Sequence, residues 1–326
     1  MLFRSKDHSI VGKPTDPKRF DDMDLFERAV SMGPSLFTLQ YMLDCTLSDR
    51  ERYPLRLSDL IVMHLDTTRA PVFIQYGSSP ELQIKDLRNA GLDGDRWYRP
   101  MTVDNEWVPY EGSILFIDPA GRGADACGYA VVKQLGGKLF VLGAGSIQGG
   151  YDDKTLTRLA TIAATHSVNE VVIEANFGDG MFTKIIAPIM NKIHPCKITE
   201  VKNHVQKEKR ICDVLEPVMA SHRLVVNRSV IEDDLKIIET DPRHSLFFQM
   251  TRITRERKAL VHDDALDALA GAVSYWTQSM AKDQEKSKES YRDKMLAQEL
   301  KWYQRGKLLS LTNGLGVKRP RRSKAS

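Results

Sequence analysis

An α/β fold with one mixed sheet and helices on both faces, preceded by a smaller α/β region, is predicted by three observations. Three apolar runs follow one another between residues 113 and 145, separated by glycine-rich turns. Beyond them, helix-like and strand-like segments alternate. The composition, 42% apolar and 28% charged, is that of a chain able to bury a core.

Taken in order, residues 1–20 contain Gly12, Pro14 and Pro17 and read as an extended lead-in. Asp21 and Asp22 cap a short amphipathic helix, LFERAV, which Gly33-Pro34 interrupts before a second, SLFTLQYMLD, with Ser35 as its N-cap. LSDLIVMHLD and PVFIQYG read as strands, and residues 77–110, rich in Gly, Asp, Asn and Pro, as a linker or irregular excursion. SILFID is near-continuously apolar, as a buried strand should be. With GYAVVKQL and KLFVLGAG, joined by PAGRGADA and Gly136-Gly137, it predicts an antiparallel meander. There follow a helix (DDKTLTRLATIAATH), a strand (EVVIEA), a helix (MFTKIIAPIMNKI) and a strand (KITEV). A longer helix, KEKRICDVLEPVMASH, is expected to break or kink near Pro217. Irregular sequence leads to a last apolar helix, DDALDALAGAVSYW. The order β-β-β-α-β-α-β-α is that of an RNase H-like fold of the RuvC type.

Charge and cysteine usage narrow the function classes. The net charge of +4 is unevenly spread: residues 281–326 hold 13 Lys/Arg against 5 Asp/Glu, or +8, which leaves −4 for the rest. Such a tail suits an arm that meets DNA or an acidic protein surface, and equally a solvated terminus. Its end, KRPRRSKAS, is expected to be disordered. Cys45, Cys127, Cys196 and Cys212 lie far apart, which argues against a zinc site or a disulfide framework. No apolar run spans a bilayer and no secretory h-region opens the chain, so no membrane is expected and the cytoplasm is the expected compartment.

Acidic residues at three places carry the chemistry. Asp118 closes SILFID, Glu174 closes EVVIE, and Asp263, Asp264 and Asp267 open the last helix. In the predicted fold these three elements converge. A carboxylate cluster without a cation would repel itself and take up protons, so a divalent metal is the natural partner. Hard oxygen ligands suit Mg2+ or Mn2+, two ions per site, for in-line phosphodiester hydrolysis. Each acid also has a plainer reading: Asp118 as a turn-former, Asp263 as an N-cap, Asp264 and Asp267 as complements of the helix dipole. Among the last three, Asp264 is the first choice for metal and Asp267 the second.

Basic residues that could contact DNA phosphates are Arg122 in the glycine-rich turn, Lys202, Lys207, Lys209 and Arg210 before and on the long helix, and Arg252, Arg255 and Arg257 downstream. Solvated helix starts and loops explain them equally well. Gly121, Gly123, Asp125, Gly178 and Gly180 are lesser candidates for shaping the site. No G-x-x-x-x-G-K-[ST] motif occurs, so ATP hydrolysis is not expected from this chain.

The motifs ILFIDPAGRGADACGYAV, VVIEANFGDGMF, KRICDVLEPVMASHRLVV and FFQMTRITRERKALVHDDALDALA, with FTLQYMLD and YPLRLSDLIV upstream, resemble the terminase large subunit of short-tailed, podovirus-type phages (DNA maturase B), over about residues 10–280. The resemblance implies an endonuclease that cuts concatemeric double-stranded DNA in the host cell cytoplasm, with the portal or prohead and the small terminase subunit as partners. It assigns the nuclease carboxylates to Asp118, Glu174 and the Asp263/Asp264/Asp267 group, and residues 1–110 to the end of an ATPase domain and its linker. Residues 111–280 are then the nuclease domain and 281–326 a basic extension. DDALDALA is also similar to the D-x-x-D-A-L-A of RuvC-type resolvases, which favours Asp264 and Asp267 over Asp263. A structure-specific resolvase and a non-catalytic docking module are the alternative readings.

Overall fold

The computed structural model describes residues 16, 18–32, 37, 41, 52–119, 126–175, 180–202 and 205–281. By its contacts the chain divides into two units, Met1–Ser274 and Tyr275–Ser326. Of the second, only residues 275–281 are described, and these are helical. The basic tail, the second predicted N-terminal helix for the most part, and the turn holding Gly121, Arg122, Gly123 and Asp125 lie outside the described residues, as does Gly178.

In chain order the elements are α1 (Asp22–Met32), β1 (Ile61–Met63), β2 (Arg69–Pro71), β3 (Ile74–Gln75), β4 (Thr102–Val103), β5 (Trp107–Pro109), β6 (Gly112–Asp118), β7 (Ala126–Leu135), β8 (Lys138–Gln148), α2 (Asp153–Thr165), β9 (Glu170–Glu174), α3 (Met181–Ile193), β10 (Lys197–Val201), α4 (Lys207–Ala220), β11 (Leu224–Asn227), α5 (Arg228–Thr240) and α6 (Leu246–Arg252). A last helix, α7, begins at residue 264. Seven strands form one sheet in the order β1-β11-β8-β7-β6-β9-β10. The predicted meander is its centre: β6, β7 and β8 pair antiparallel, while β9, β10, β11 and β1 pair parallel. Gly136 and Gly137 close the β7–β8 hairpin with φ of 55° and 79°. A two-residue turn with both φ positive matches strand twist, and glycine adopts it without strain.

Alternation along the central strands sorts the core. The odd-numbered side chains of β6 and β9, Leu115, Ile117, Val171 and Ile173, join Leu156, Leu159, Ala160 and Ala163 of α2 and Phe182, Ile186 and Met190 of α3 in one apolar cluster. Phe116 faces the other way, against α7. Helices therefore cover both faces, as the sequence predicts.

Four features differ from the sequence reading. The stretch after α4, read as irregular, contains β11, α5 and α6. A four-residue strand is too short to show a period, and its partner strands are 84 or more positions away in sequence: Leu224 pairs with Leu139 and Val225 with Ile61. β1, read as part of a preceding region, is the edge strand of the main sheet. Its Ile61 and Val62 are buried because β11 offers an unpaired parallel edge. Residues 77–110 contain β4 and β5, which pair with β3 and β2, and Trp97 is buried edge-on to Phe247 of α6. Finally, α4 continues as helix through Pro217 to Ala220. Proline in the last turn removes one hydrogen bond near an end that loses its ladder anyway.

Candidate metal centre

Strand register brings the first two acids together. Ile114, Phe116 and Asp118 share one face of β6, and Val172 and Glu174 share one face of β9. Phe116 pairs with Val172 and Ile117 with Ile173, so Asp118 and Glu174 end adjacent parallel strands on the same side. The third acid comes from α7, which approaches that side closely. Gly128, the partner of Asp118 on β7, makes room: a Cβ there would lie 2.1 Å from the carbonyl oxygen of Asp264. The helix start is held further by Gln249 of α6, whose side-chain oxygen accepts from the Leu266 N–H at 3.1 Å. That satisfies one of the donors a helix N-terminus leaves open.

The result is a group of three. One carboxylate oxygen from each of Asp118, Glu174 and Asp267 lies within 4.8 Å of the others. Glu174 and Asp267 are buried, and Asp118 is partly so. Asp263 is the N-cap of α7, its carbonyl accepting from the Asp267 N–H at 2.8 Å. Asp264 sits on the first turn, and its carboxylate is not one of the three. Of the candidates that open α7, the structure gathers Asp267 with Asp118 and Glu174. Helix rotation decides this, and spacing alone does not contain it.

Two cations of α4 stand among the acids. Lys207 Nζ lies 2.9 Å from Asp263 Oδ1, 3.1 Å from Asp267 Oδ2 and 3.9 Å from Asp118 Oδ2. Arg210, one turn on, donates from Nη1 to Glu174 Oε1 at 3.1 Å and from Nη2 to Asp267 Oδ1. Burial, then the charge of Asp267, holds the Asp118 carboxyl well above its ordinary range, with Lys207 opposing. Burial also raises Asp267, against Lys207 and Arg210. For Lys207 burial works downward, and the surrounding carboxylates, Asp267 first, outweigh it and raise its pKa.

The donor set fits a hard divalent cation. Five carboxylates (Asp118, Glu174, Asp263, Asp264, Asp267) face two cations, which leaves a surplus of negative charge around three convergent oxygens. Oxygen-only ligands of this kind select Mg2+, Mn2+ or Ca2+ over zinc or copper. Cys127 and Cys212 are buried, and neither thiol belongs to the group of three.

The other basic candidates divide. Lys202 and Lys209 are exposed, after β10 and on the first turn of α4. Arg252 lies over the Phe248 ring at 4.0 Å and donates to the Ala90 carbonyl, tying the 77–110 segment to α6. Arg255 pairs with Glu216 and Asp213 of α4. Sequence reasoning missed Gln249 and Gly128, whose work is to place the backbone of α7; no local pattern marks either. Gly180 does open α3, in the left-handed region at φ 77°.

Residues 117–224 match the family model described as the ribonuclease H-like domain of the bacteriophage T7 terminase. The chain carries a terminase ribonuclease H-like domain. The match takes in Asp118, Glu174, Lys207 and Arg210, and α7 with Asp267 follows it. Over 279 residues the chain is 44% identical to the terminase large subunit of Enterobacteria phage T3, covering 84% of this chain and 48% of that protein. It thus spans about half the length of the curated relative it matches. Among solved structures it is similar to the human cytomegalovirus terminase nuclease domain, at 16% identity and a TM-score of 0.38, covering 51% of this chain and 84% of that one. The nuclease domain of the large terminase subunit of bacterial virus Sf6 aligns at 13% identity and a TM-score of 0.37, covering 51% and 90%. The assignment of this terminase domain rests on the sequence matches.

Proposed function

We propose that this chain is a metal-dependent endonuclease that cuts concatemeric double-stranded viral DNA during genome packaging. The observation that carries the reading is the convergence of Asp118, Glu174 and Asp267 from two strand ends and a helix, their oxygens within 4.8 Å, in a terminase-type domain. In this reading Asp118, Glu174 and Asp267 hold Mg2+ or Mn2+, with Asp264 and Asp263 beside them. Two such ions, when bound, would supply activation of water and stabilisation of the leaving oxygen in an in-line displacement. The chain's own groups do the rest. The closely packed sheet and α7 keep the carboxylates in place, while Lys207 and Arg210 hold Asp263, Asp267 and Glu174 in orientation. Both cations also neutralise charge where an anionic phosphodiester must approach, and Lys202 and Lys209 extend that positive edge outward.

Residues 111–280 as the catalytic region, 1–110 as the end of a motor domain and its linker, and 281–326 as a basic extension belong to the same proposal. So do the portal or prohead and the small terminase subunit as partners, and the host cytoplasm as the compartment. Among the described residues no helix is long and apolar enough to cross a membrane.

The test is nicking and linearisation of supercoiled plasmid with Mg2+, Mn2+ or EDTA, with Asp118→Ala beside the unaltered chain. Metal-dependent cleavage that the variant loses is the expected result. Equal cleavage by both proteins would sink the assignment of Asp118, and cleavage in EDTA would sink the metal mechanism.

A further inference from the structure

The connection from α6 to α7, residues 253–263, has no regular structure, yet it is strapped to α4 at several points. Gln206, just before α4, donates its amide to the Arg255 carbonyl at 3.3 Å. The Arg255 guanidinium pairs with Glu216 and Asp213. The Lys258 N–H donates to the Glu208 carboxylate at 2.6 Å. The loop ends at Asp263, which Lys207 holds at 2.9 Å. Glu208 is the chain neighbour of Lys207, so the backbone of Lys258 is fastened beside a residue of the carboxylate site.

Lys258 has φ of 61°. A non-glycine residue in the left-handed region is strained and persists only where its surroundings impose it. Glycine or asparagine would occupy the turn without that strain. A lysine there is explained by its side chain, since the backbone would prefer another residue. That side chain is exposed and makes no ion pair or hydrogen bond among the described residues. Exposed Arg257 precedes it, and exposed Lys209 follows the Glu208 that holds it. The acids of α4 nearest the loop, Glu208, Asp213 and Glu216, are already engaged by the strap itself. Arg257 and Lys258 are therefore left facing solvent on a loop that ends at Asp263, beside the carboxylate group.

We propose that Lys258 is a DNA-backbone contact of this site, presented by a loop that Glu208 locks in a strained turn. The proposal rests on the DNA-nuclease reading and adds a substrate-positioning residue to it.

The test uses the full chain, a duplex of about 30 base pairs and a NaCl series without Mg2+ or Mn2+, with affinity read by fluorescence anisotropy. Lys258→Gly and Lys258→Asn both accept the left-handed turn, so their melting temperatures should equal or exceed that of the unaltered chain. Both should bind DNA several-fold more weakly, and the slope of log K against log salt should shrink by about 0.9, the loss of one phosphate contact. Lys258→Arg should restore the slope. Unchanged affinity and slope in the Gly and Asn variants, in a chain that binds and cuts DNA, would overturn this inference alone. A chain that neither binds duplex nor cleaves it with metal would overturn the nuclease reading and this inference with it.

Discussion

Gly271 of α7 lies on the ring of Phe116: a Cβ at Gly271 would sit 2.3 Å from Phe116 Cζ and 2.4 Å from Cε1. Phe116 is two residues before Asp118, and Gly271 is one turn after Asp267. The same contact that seats the helix on the sheet therefore sets the separation of two carboxylates. In an exposed helix, Gly→Ala stabilises by about 1 kcal/mol. Here Gly271→Ala should instead destabilise by about 1–3 kcal/mol, the usual effect of overpacking a core. Urea unfolding gives the sign directly, and a gain in stability would mean that the contact does not constrain α7.

Asp267 and Asp264 should separate sharply under substitution. Asp267→Asn removes one of the three convergent oxygens and breaks the pairing with Lys207 and Arg210. Plasmid cleavage should fall roughly a thousandfold, about 4 kcal/mol of transition-state stabilisation. Asp264→Asn should cost no more than about tenfold, or about 1.4 kcal/mol. The reverse ranking in Mn2+ would show that metal binding draws Asp264 inward and would displace Asp267 from its assigned role.

Lys133 offers a pH signature away from the metal site. It is a buried lysine on β7 whose ammonium donates to the carbonyls of Thr67 at 2.5 Å and His166 at 2.6 Å. Burial lowers its pKa from 10.5 to about 8, with Asp66 opposing. The folded state then binds fewer protons than the unfolded chain between those two values, so this group makes stability rise with pH across that window, an effect that levels off below about 8. Chemical denaturation at pH values from 7 to 10 should show that slope, and Lys133→Met should reduce it. An unchanged slope in the variant would assign the ionisation elsewhere.

Asp234 holds the start of α6 from below. Its carboxylate accepts from Ser245 Oγ at 2.6 Å, Leu246 N at 2.7 Å and Phe247 N at 3.1 Å, all buried. α6 in turn carries Gln249, which accepts from the Leu266 N–H in the first turn of α7. Asp234→Ala leaves buried donors unsatisfied and should destabilise by about 2–4 kcal/mol. Asp234→Asn, which keeps an acceptor, should cost less. Equal losses for the two variants would mean that packing, and not the acceptor, is what the site needs.

The meander and the chain order of elements from β6 through α4 were legible because their signals are local. SILFID is near-continuously apolar, as a strand buried on both faces must be, and Gly136-Gly137 marks a turn closed with positive φ. Asp118 and Glu174 were legible for the same reason, each ending an apolar strand. β11 and β1 were not assembled from the sequence because their pairing is non-local: Ile61 meets Val225 across 164 positions. α5 and α6 follow a strand too short to announce them, although Ser245 caps α6 locally.

By itself the sequence determined which residues are acidic, that two of them close apolar strands, and that a third group opens the last helix. It could not decide which face of that helix meets the sheet. Asp263, Asp264 and Asp267 fall within one turn and a half, and nothing in their spacing separates them. Gly128, Gly271 and Gln249 set the depth and rotation of α7 through backbone clearance and a single hydrogen bond, and so Asp267 meets Asp118 and Glu174. The place of Lys207 and Arg210 was likewise decided in three dimensions. Read as a basic run they suit phosphate, and the fold sets them between carboxylates because α4 begins where β6, β9 and α7 converge.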